Sequence, residues 1–203
     1  GEWRFVHRIR RPESPDGTTL ILLQGTGGNE NDLIPLARLA APRETLLGVL
    51  GRSTEEGIQR WFRRFDLKRF DQNDIRFEAE AFEAFVEGAI AAYGIDPERT
   101  AFIGNSNGAN LLAAFMRLHP HVVRKAVLLR ATDVLEEQPI ADLSDASVLL
   151  LNGIGDPFGD ASGKLEAALR ADGAAVDVLS AEGGHGLSDE DVRLTGEWLQ
   201  QKL

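Results

Sequence analysis

The sequence AFIGNSNGAN, residues 101–110, joins an apolar β-prone run to an apolar helical pattern. It contains the spacing Gly-x-Ser-x-Gly, with Ser106 at its centre. Between a strand and a helix, this spacing is typical of a sharp turn that presents a nucleophilic serine. Glycine is needed two residues to either side, because a side chain there would collide with the turn or the neighbouring strand. Without its flanks the pentapeptide is weak evidence, and an ordinary glycine-rich turn is the alternative.

Short apolar runs alternate with helical patterns on both sides of this turn. Strands are predicted at residues 19–24, 46–50, 100–103, 126–129, 148–152 and 176–179. Helices are predicted at residues 31–40, 77–93, 109–118, 163–171 and 189–203, the last with Ser188 as its N-cap. We therefore expect an α/β fold in a single domain over residues 1–203, with a mostly parallel central sheet and helices on both faces. A further strand at residues 3–9 is expected to pair antiparallel at one edge.

The composition limits the classes of partner. The 203 residues carry a formal net charge of -10 at pH 7 and include no cysteine. Nucleic acids and anionic membranes need a basic surface, so neither is expected as the main partner. The lack of cysteine excludes disulfides, thiolate metal sites and a cysteine nucleophile. Since no apolar run has the length of a membrane span, we expect a cytoplasmic protein without stable membrane insertion.

A serine hydroxyl needs a neighbouring base to act as a nucleophile at neutral pH, and a third group to orient that base. Of the four histidines, His7, His119 and His121 look structural. His185 lies in the glycine-rich sequence EGGHGL, residues 182–187, between the last predicted strand and the last predicted helix. Flexible backbone around one imidazole suits a base that projects into a cleft, so we assign His185 as the base.

The orienting acid is expected between Ser106 and His185, since nucleophile, acid, base is the chain order that accompanies this serine motif. Asp156 directly follows the strand predicted at residues 148–152, in a loop that glycines and a proline make sharp. Only a rigid loop holds a carboxylate against an imidazole, so we favour Asp156. Asp133, which follows the preceding strand, is the alternative.

An oxyanion needs two convergent N–H donors. One is expected from the amide of Asn107, directly after the nucleophile. The other is expected from the glycine-rich loop at residues 25–28, where we assign the amide of Thr26. That loop lacks the third glycine of a dinucleotide fingerprint and the lysine of a P-loop, so we do not expect it to bind a nucleotide.

Two other patterns suggest different chemistry. The sequence GIGDPFG, residues 153–159, could begin a dinucleotide site, with Asp177 where a ribose-binding acid would fall. Too little chain follows to complete such a domain, so a nucleotide-dependent oxidoreductase is disfavoured. The sequence HPH, residues 119–121, has no further ligand nearby, and we expect no metal and no cofactor.

Residues 51–74 interrupt the alternation with clustered basic and aromatic side chains. The segment joins a strand to a helix at the carboxyl edge of the sheet, where ligand crevices lie, so we interpret it as a cap or wall over the site. Trp61 and Phe62 would form an apolar substrate pocket, and Arg63 or Arg64 would bind an anionic substrate group. The alternative is a solvated basic loop whose aromatic side chains pack into the core.

Four motifs together resemble the phospholipase/carboxylesterase family of the α/β-hydrolase superfamily, small serine esterases related to acyl-protein thioesterases. They are LQGTGGNE at residues 23–30, RWFRR at 60–64, GNSNGAN at 104–110 and GHGL at 184–187. The resemblance implies Ser106, Asp156 and His185 as catalytic residues, with the amides of Thr26 and Asn107 as the oxyanion hole. The family usually carries a histidine, which braces the oxyanion loop, where this chain has Gln24. We expect this change to affect the geometry of the oxyanion loop and the reaction rate. We also count Gln24 among the predicted substrate-binding residues.

The resemblance implies a serine hydrolase that cleaves carboxylic esters, or thioesters, through an acyl-Ser106 intermediate. Its partner would be a small-molecule ester. A hydrolase-fold binding protein that has lost activity through the Gln24 change is the alternative from another class. The sequence permits a homodimer and does not distinguish it from a monomer.

Overall fold

The computed structural model describes residues 5–203, and for Asp160 the backbone only. The main sheet contains β1 His7–Arg10, β2 Thr19–Leu23, β3 Thr45–Val49, β6 Thr100–Asn105, β7 Lys125–Leu129, β8 Ser147–Gly153 and β9 Ala175–Ala181. Its strand order is β1-β3-β2-β6-β7-β8-β9. All neighbours are parallel except β1, which pairs antiparallel with β3 at the edge. The predicted antiparallel edge strand is therefore present, although positions 3 and 4 of its predicted range lie outside the described residues.

Helices cover both faces of the sheet, as predicted. They are α1 Ile34–Ala40, α2 Gln72–Tyr93, α3 Asn107–Leu118, α4 Ser162–Ala171 and α5 Asp189–Lys202. Side chains of α2, α3 and α4 pack in one core cluster, and those of α1 and α5 pack in the other. Successive side chains of a strand point to opposite faces, so β2 sends Ile21 to the first cluster and Leu22 to the second. Burying each such side chain contributes about 1.5–3 kcal/mol, so a central strand must be apolar throughout.

Residues 51–74 contain a small hairpin that the sequence did not indicate. Strands β4 Ser53–Glu55 and β5 Ile58–Arg60 pair antiparallel. Glu56 and Gly57 connect them, with φ angles of 51° and 81°. Two successive positive φ angles match the right-handed twist of the flanking strands, which is why two-residue hairpin turns adopt them.

Glu44, just before β3, is a buried carboxylic acid at the amino-terminal edge of the sheet. Its side chain is largely buried, and within residues 5–203 its Oε2 atom has no hydrogen-bond partner. Burial, together with the negative charge of Asp16, raises the pKa of Glu44 from 4.5 to about 7. The folded protein therefore holds this proton more tightly than the unfolded chain does.

This pKa makes stability depend on pH with a defined sign. Below about pH 4.5 the group is protonated in both states. Between about pH 4.5 and 7 the unfolded chain releases the proton first, so the free energy of unfolding falls by up to about 3 kcal/mol over this range. Glu44→Gln is expected to remove this loss, so that the variant is the more stable protein at pH 8. Urea unfolding at several pH values measures it, with the exposed Glu13→Gln as the control. Equal pH slopes in wild type and Glu44→Gln would contradict the prediction.

Among the described helices, none combines the length and the apolar character that crossing a bilayer requires.

Candidate active site

The turn between β6 and α3 holds Ser106 in a strained backbone conformation. Its φ angle is 52°, and its amide donates to the Leu129 carbonyl over 2.7 Å. A Cβ at Gly108 would overlap the backbone carbonyl oxygens of Leu23 and Gln24, and a Cβ at Gly104 would lie 2.7 Å from a backbone Cα of α3. Only glycine fits at either position, because the obstructing atoms are backbone. The strain is maintained at a site where it exposes the serine side chain.

Three side chains from separate loops meet at the carboxyl edge of the sheet. Ser106 Oγ lies 2.9 Å from His185 Nε2. On the other side of the ring, His185 Nδ1 lies 3.0 Å from Asp156 Oδ2. The second carboxylate oxygen of Asp156 accepts a hydrogen bond from the Phe158 amide over 2.8 Å, which fixes the carboxylate plane. With the proton on Nδ1 facing the carboxylate, Nε2 has a lone pair for the serine hydroxyl.

Asp133, the alternative acid, has a local role. Its two carboxylate oxygens accept from the Leu135 amide over 3.1 Å and from Gln138 Nε2 over 3.0 Å. These are turn-forming contacts within the loop after β7. The structure thus brings Asp156, and not Asp133, to His185.

The glycine-rich loop after β2 lies beside Ser106 and is tied to the hairpin. The Gly27 amide donates to the Gln59 carbonyl over 2.9 Å, and the Gly28 amide donates back to the Gly25 carbonyl over 3.1 Å. The Thr26 hydroxyl accepts from Arg60 Nη1 over 3.0 Å. A Cβ at Gly25 would touch Ser106 Cβ at 3.7 Å, so this loop approaches the nucleophile directly.

Known proteins share this architecture over nearly its whole length. No protein-family model matches the chain. It is 31% identical over 186 residues to the "Putative hydrolase MhqD" of Bacillus subtilis (strain 168), covering 91% of this chain and 93% of that protein. It superposes on a Bacillus cereus carboxylesterase with a TM-score of 0.93 at 30% identity, over 98% of this chain and 95% of that one. A Mesorhizobium loti carboxylesterase gives 0.93 at 38% identity, over 97% and 94%.

The chain belongs to the carboxylesterases of the α/β-hydrolase superfamily. The resemblance stated from the four sequence motifs is confirmed, and so are the fold class and the enzyme class. The protein is an ester-cleaving hydrolase.

Two aromatic residues of this hydrolase lie deeper than the sequence suggested. Trp61 and Phe62 are both 0% exposed and belong to the main core cluster. Trp61 stacks on Phe5, and Phe62 meets Phe70 edge to face. The prediction that Trp61 and Phe62 line a substrate pocket is therefore corrected, because a fully buried side chain offers no surface to a ligand. For these two side chains the alternative was right: the aromatic residues pack into the core.

Trp61 nevertheless supports the site through two hydrogen bonds from its buried position. Its indole N–H donates to the Gln24 carbonyl over 2.8 Å, and its amide donates to Asn107 Oδ1 over 2.7 Å. It thereby ties the oxyanion loop to the first residue of α3. Gln24 is buried too, and its Oε1 accepts from the Gly51 amide over 3.0 Å. The Gln24 side chain thus ties the start of the loop to Gly51, and the prediction that it contacts substrate is corrected for the same reason as for Trp61.

The two arginines that were predicted to bind an anionic group both contact carboxylates. Arg64 Nη2 lies 2.9 Å from Glu55 Oε2, and Arg63 Nε lies 3.5 Å from Asp71 Oδ2. The Arg63 side chain is 65% exposed and is the freer of the two. That residues 51–74 form a cap or wall over the site stays a prediction.

A neighbour of the site that the sequence did not indicate is Arg60. Its side chain is almost fully buried beside the oxyanion loop, where it holds the Thr26 hydroxyl. Burial, and then the charge of Arg64, lower the pKa of Arg60 below the usual arginine value, while Glu55 opposes the shift. A guanidinium stays protonated at neutral pH even so, which places a positive charge against the Thr26 hydroxyl. The only signal in the sequence was its position at the start of RWFRR.

Proposed function

We propose that this hydrolase works through an acyl-Ser106 intermediate, with His185 as general base and Asp156 as the residue that orients it. The single observation that carries the proposal is the continuous contact from Ser106 Oγ to His185 Nε2, 2.9 Å, and from His185 Nδ1 to Asp156 Oδ2, 3.0 Å. Hydrogen-bond contact between nucleophile and base, with the base oriented by a third group, is the geometry that activates a serine. Among the carboxylesterases, the four sequence motifs support a place in the phospholipase/carboxylesterase family in particular.

The chemistry follows from that contact. His185 accepts the hydroxyl proton as Ser106 Oγ attacks the ester carbonyl, and the amides of Thr26 and Asn107 stabilise the developing oxyanion. The protonated imidazole then donates its proton to the departing alkoxide, or thiolate in a thioester. Water enters and attacks the acyl carbonyl while His185 takes a proton from it. The bond to Ser106 Oγ then breaks, the imidazolium returns its proton to Ser106 Oγ, and the acid product leaves. No step needs a metal or a cofactor, and removing one oxyanion donor would cost roughly 100-fold to 1,000-fold in kcat.

For the substrate we propose a small ester with an apolar group. Two exposed apolar side chains border the site: Ile58 lies against the oxyanion loop at Gly27, and the Phe158 ring lies 5.0 Å from the His185 ring. Apolar walls with a few convergent polar groups are typical of small-molecule sites. An anionic group bound by Arg63 or Arg64 has weaker support, since both contact carboxylates already.

A fluorophosphonate probe and a series of nitrophenyl esters of increasing acyl length test the proposal. The folded protein is expected to gain one adduct, located on Ser106 by peptide mapping, and to hydrolyse the esters with a short-chain optimum. Heat-denatured protein serves as the control for nonspecific labelling. Folded protein with neither adduct nor turnover would instead favour the binding protein that has lost activity.

A cytoplasmic location and a homodimer stay predictions from the sequence. Size-exclusion chromatography with light scattering measures the oligomeric state.

A further inference from the structure

Arg130, directly after β7, has a fully buried guanidinium group next to the loop that carries His185. It makes five hydrogen bonds: Nε to the Gly184 carbonyl at 2.7 Å, Nη1 to the Leu151 carbonyl at 3.1 Å and to Asp191 Oδ1 at 2.9 Å, and Nη2 to the Gly186 carbonyl and to Asp191 Oδ2, both at 2.9 Å. A guanidinium has five N–H donors, so every one is used. Both side chains of the Arg130–Asp191 ion pair are 0% exposed.

Two of these contacts bracket the proposed base. Gly184 and Gly186 are the residues on either side of His185, and Arg130 binds both of their carbonyls. Gly183 and Gly184 have positive φ angles of 111° and 61°. A glycine-rich backbone has little conformational preference of its own, so its conformation must be imposed by contacts from outside the loop.

The packing around the loop shows that the fit is tight. A Cβ at Gly153, the last residue of β8, would overlap the Gly184 carbonyl oxygen and lie 2.5 Å from Arg130 Nε. Arg130 itself has a φ of 56°, and its amide donates to the Leu151 carbonyl over 3.0 Å. A left-handed conformation is unfavourable for arginine, and it persists here because the surrounding contacts determine it.

We propose that Arg130 is a positioning residue for His185: its guanidinium holds the Gly184 and Gly186 carbonyls so that the imidazole stays within hydrogen-bond distance of Ser106. Asp191, at the start of α5, balances the charge and fixes the orientation of the guanidinium. The role in turnover rests on the proposed acyl-serine function. The effect on the geometry of the imidazole does not.

A purely structural role for the buried ion pair is the competing explanation, and the chain contains a matched pair that separates the two. Arg117 Nε contacts Asp172 Oδ2 at 2.6 Å, and both side chains are almost fully buried. This second pair joins the end of α3 to the residue after α4, and Arg117 also bonds Gln138 in the loop after β7. The hydrogen bonds of Arg117 go to Asp172, Gln138 and Pro139, all of which lie outside the His185 loop. Replacing either arginine with lysine keeps the charge and removes the five-donor fork.

The experiment compares Arg130→Lys with Arg117→Lys. Arg130→Lys is expected to lower kcat by about 10-fold to 100-fold with KM little changed, because a base displaced by a fraction of an ångström transfers its proton poorly. The rate of fluorophosphonate labelling should fall by the same factor. Arg117→Lys should keep the wild-type kcat and labelling rate, even where it lowers the melting temperature as much.

Proton NMR gives a readout that needs no turnover. The proton between His185 Nδ1 and Asp156 is expected as a downfield resonance in wild type and in Arg117→Lys, and to be lost or broadened in Arg130→Lys. Should Arg130→Lys fail to fold, the neutral double variant Arg130→Gln/Asp191→Asn takes its place, with Arg117→Gln/Asp172→Asn as its control.

Two outcomes would overturn the proposal: a folded Arg130 variant with wild-type kcat and a wild-type downfield resonance, or equal loss of both in the Arg117 control. Wild-type protein without labelling or turnover would instead refute the proposed acyl-serine function. The NMR comparison would still decide the positioning of His185 in that case.

Discussion

Replacing Ser106 with alanine is expected to lower kcat for ester hydrolysis by about 10⁴-fold to 10⁶-fold. The variant keeps the oxyanion amides and the substrate site, so KM should change little and a small residual rate over water should persist. Alanine also has a Cβ and meets the same φ of 52° as serine, so the fold should be as stable as the wild type's. Steady-state kinetics with a nitrophenyl ester, together with thermal unfolding, measure both effects.

Ser14→Ala, at an exposed loop position, is the control for this substitution. It should leave kcat and probe labelling at wild-type values. An undiminished rate in folded Ser106→Ala would mean that another group attacks the ester, and the assignment of the nucleophile would be wrong.

Most of the fold could be predicted because its elements depend on local apolar patterns. The central strands are buried on both faces, so their continuous apolar runs stand out between helical patterns. Helix α2 shows the limit of this reasoning, since it begins at Gln72 rather than at the predicted residue 77. Its first turn is polar and is held by the Asp71 side chain, which accepts from the Asp74 amide. The hairpin turn at Glu56 was missed because glutamate is an unusual residue at a positive φ.

The candidate site could be predicted to the extent that chain order determines position. Loops that follow parallel strands meet at one edge of the sheet, so the positions of Ser106, Asp156 and His185 in the sequence predict that they lie together. The direction of a side chain does not follow from its type. Trp61 is apolar and near the site, yet it points into the core and supports the oxyanion loop from there.

The contacts between Arg130 and the His185 loop could not be predicted from the sequence either. Arg130 and Asp191 are far apart in sequence, and an arginine that follows an apolar strand resembles the ordinary polar residue that ends one. Only the folded structure reveals that its charge is buried and that its donors bind carbonyls on either side of the imidazole.

Asp156→Asn is the second large effect, with an expected loss in kcat of about 10⁴-fold. The amide has the same shape as the carboxylate, but it can present its NH₂ group to His185 Nδ1. The imidazole would then carry its proton on Nε2, facing Ser106, where a lone pair is required. The amide also provides no negative charge to stabilise the imidazolium that forms during attack. Steady-state kinetics measure the loss, and unchanged thermal unfolding would show that the fold is intact.

Asp133→Asn is the matched control, since it makes the same chemical change in the loop after the neighbouring strand. Asp133 contacts the Leu135 amide and the Gln138 side chain, neither of which reaches the imidazole. It should therefore alter local stability at most and leave kcat at the wild-type value. Were Asp133→Asn the slow variant and Asp156→Asn the fast one, the acid would have been assigned to the wrong loop. The 3.0 Å contact between Asp156 and His185 would then have no role in catalysis, because a carboxylate that orients the base cannot lose its charge without a loss of rate.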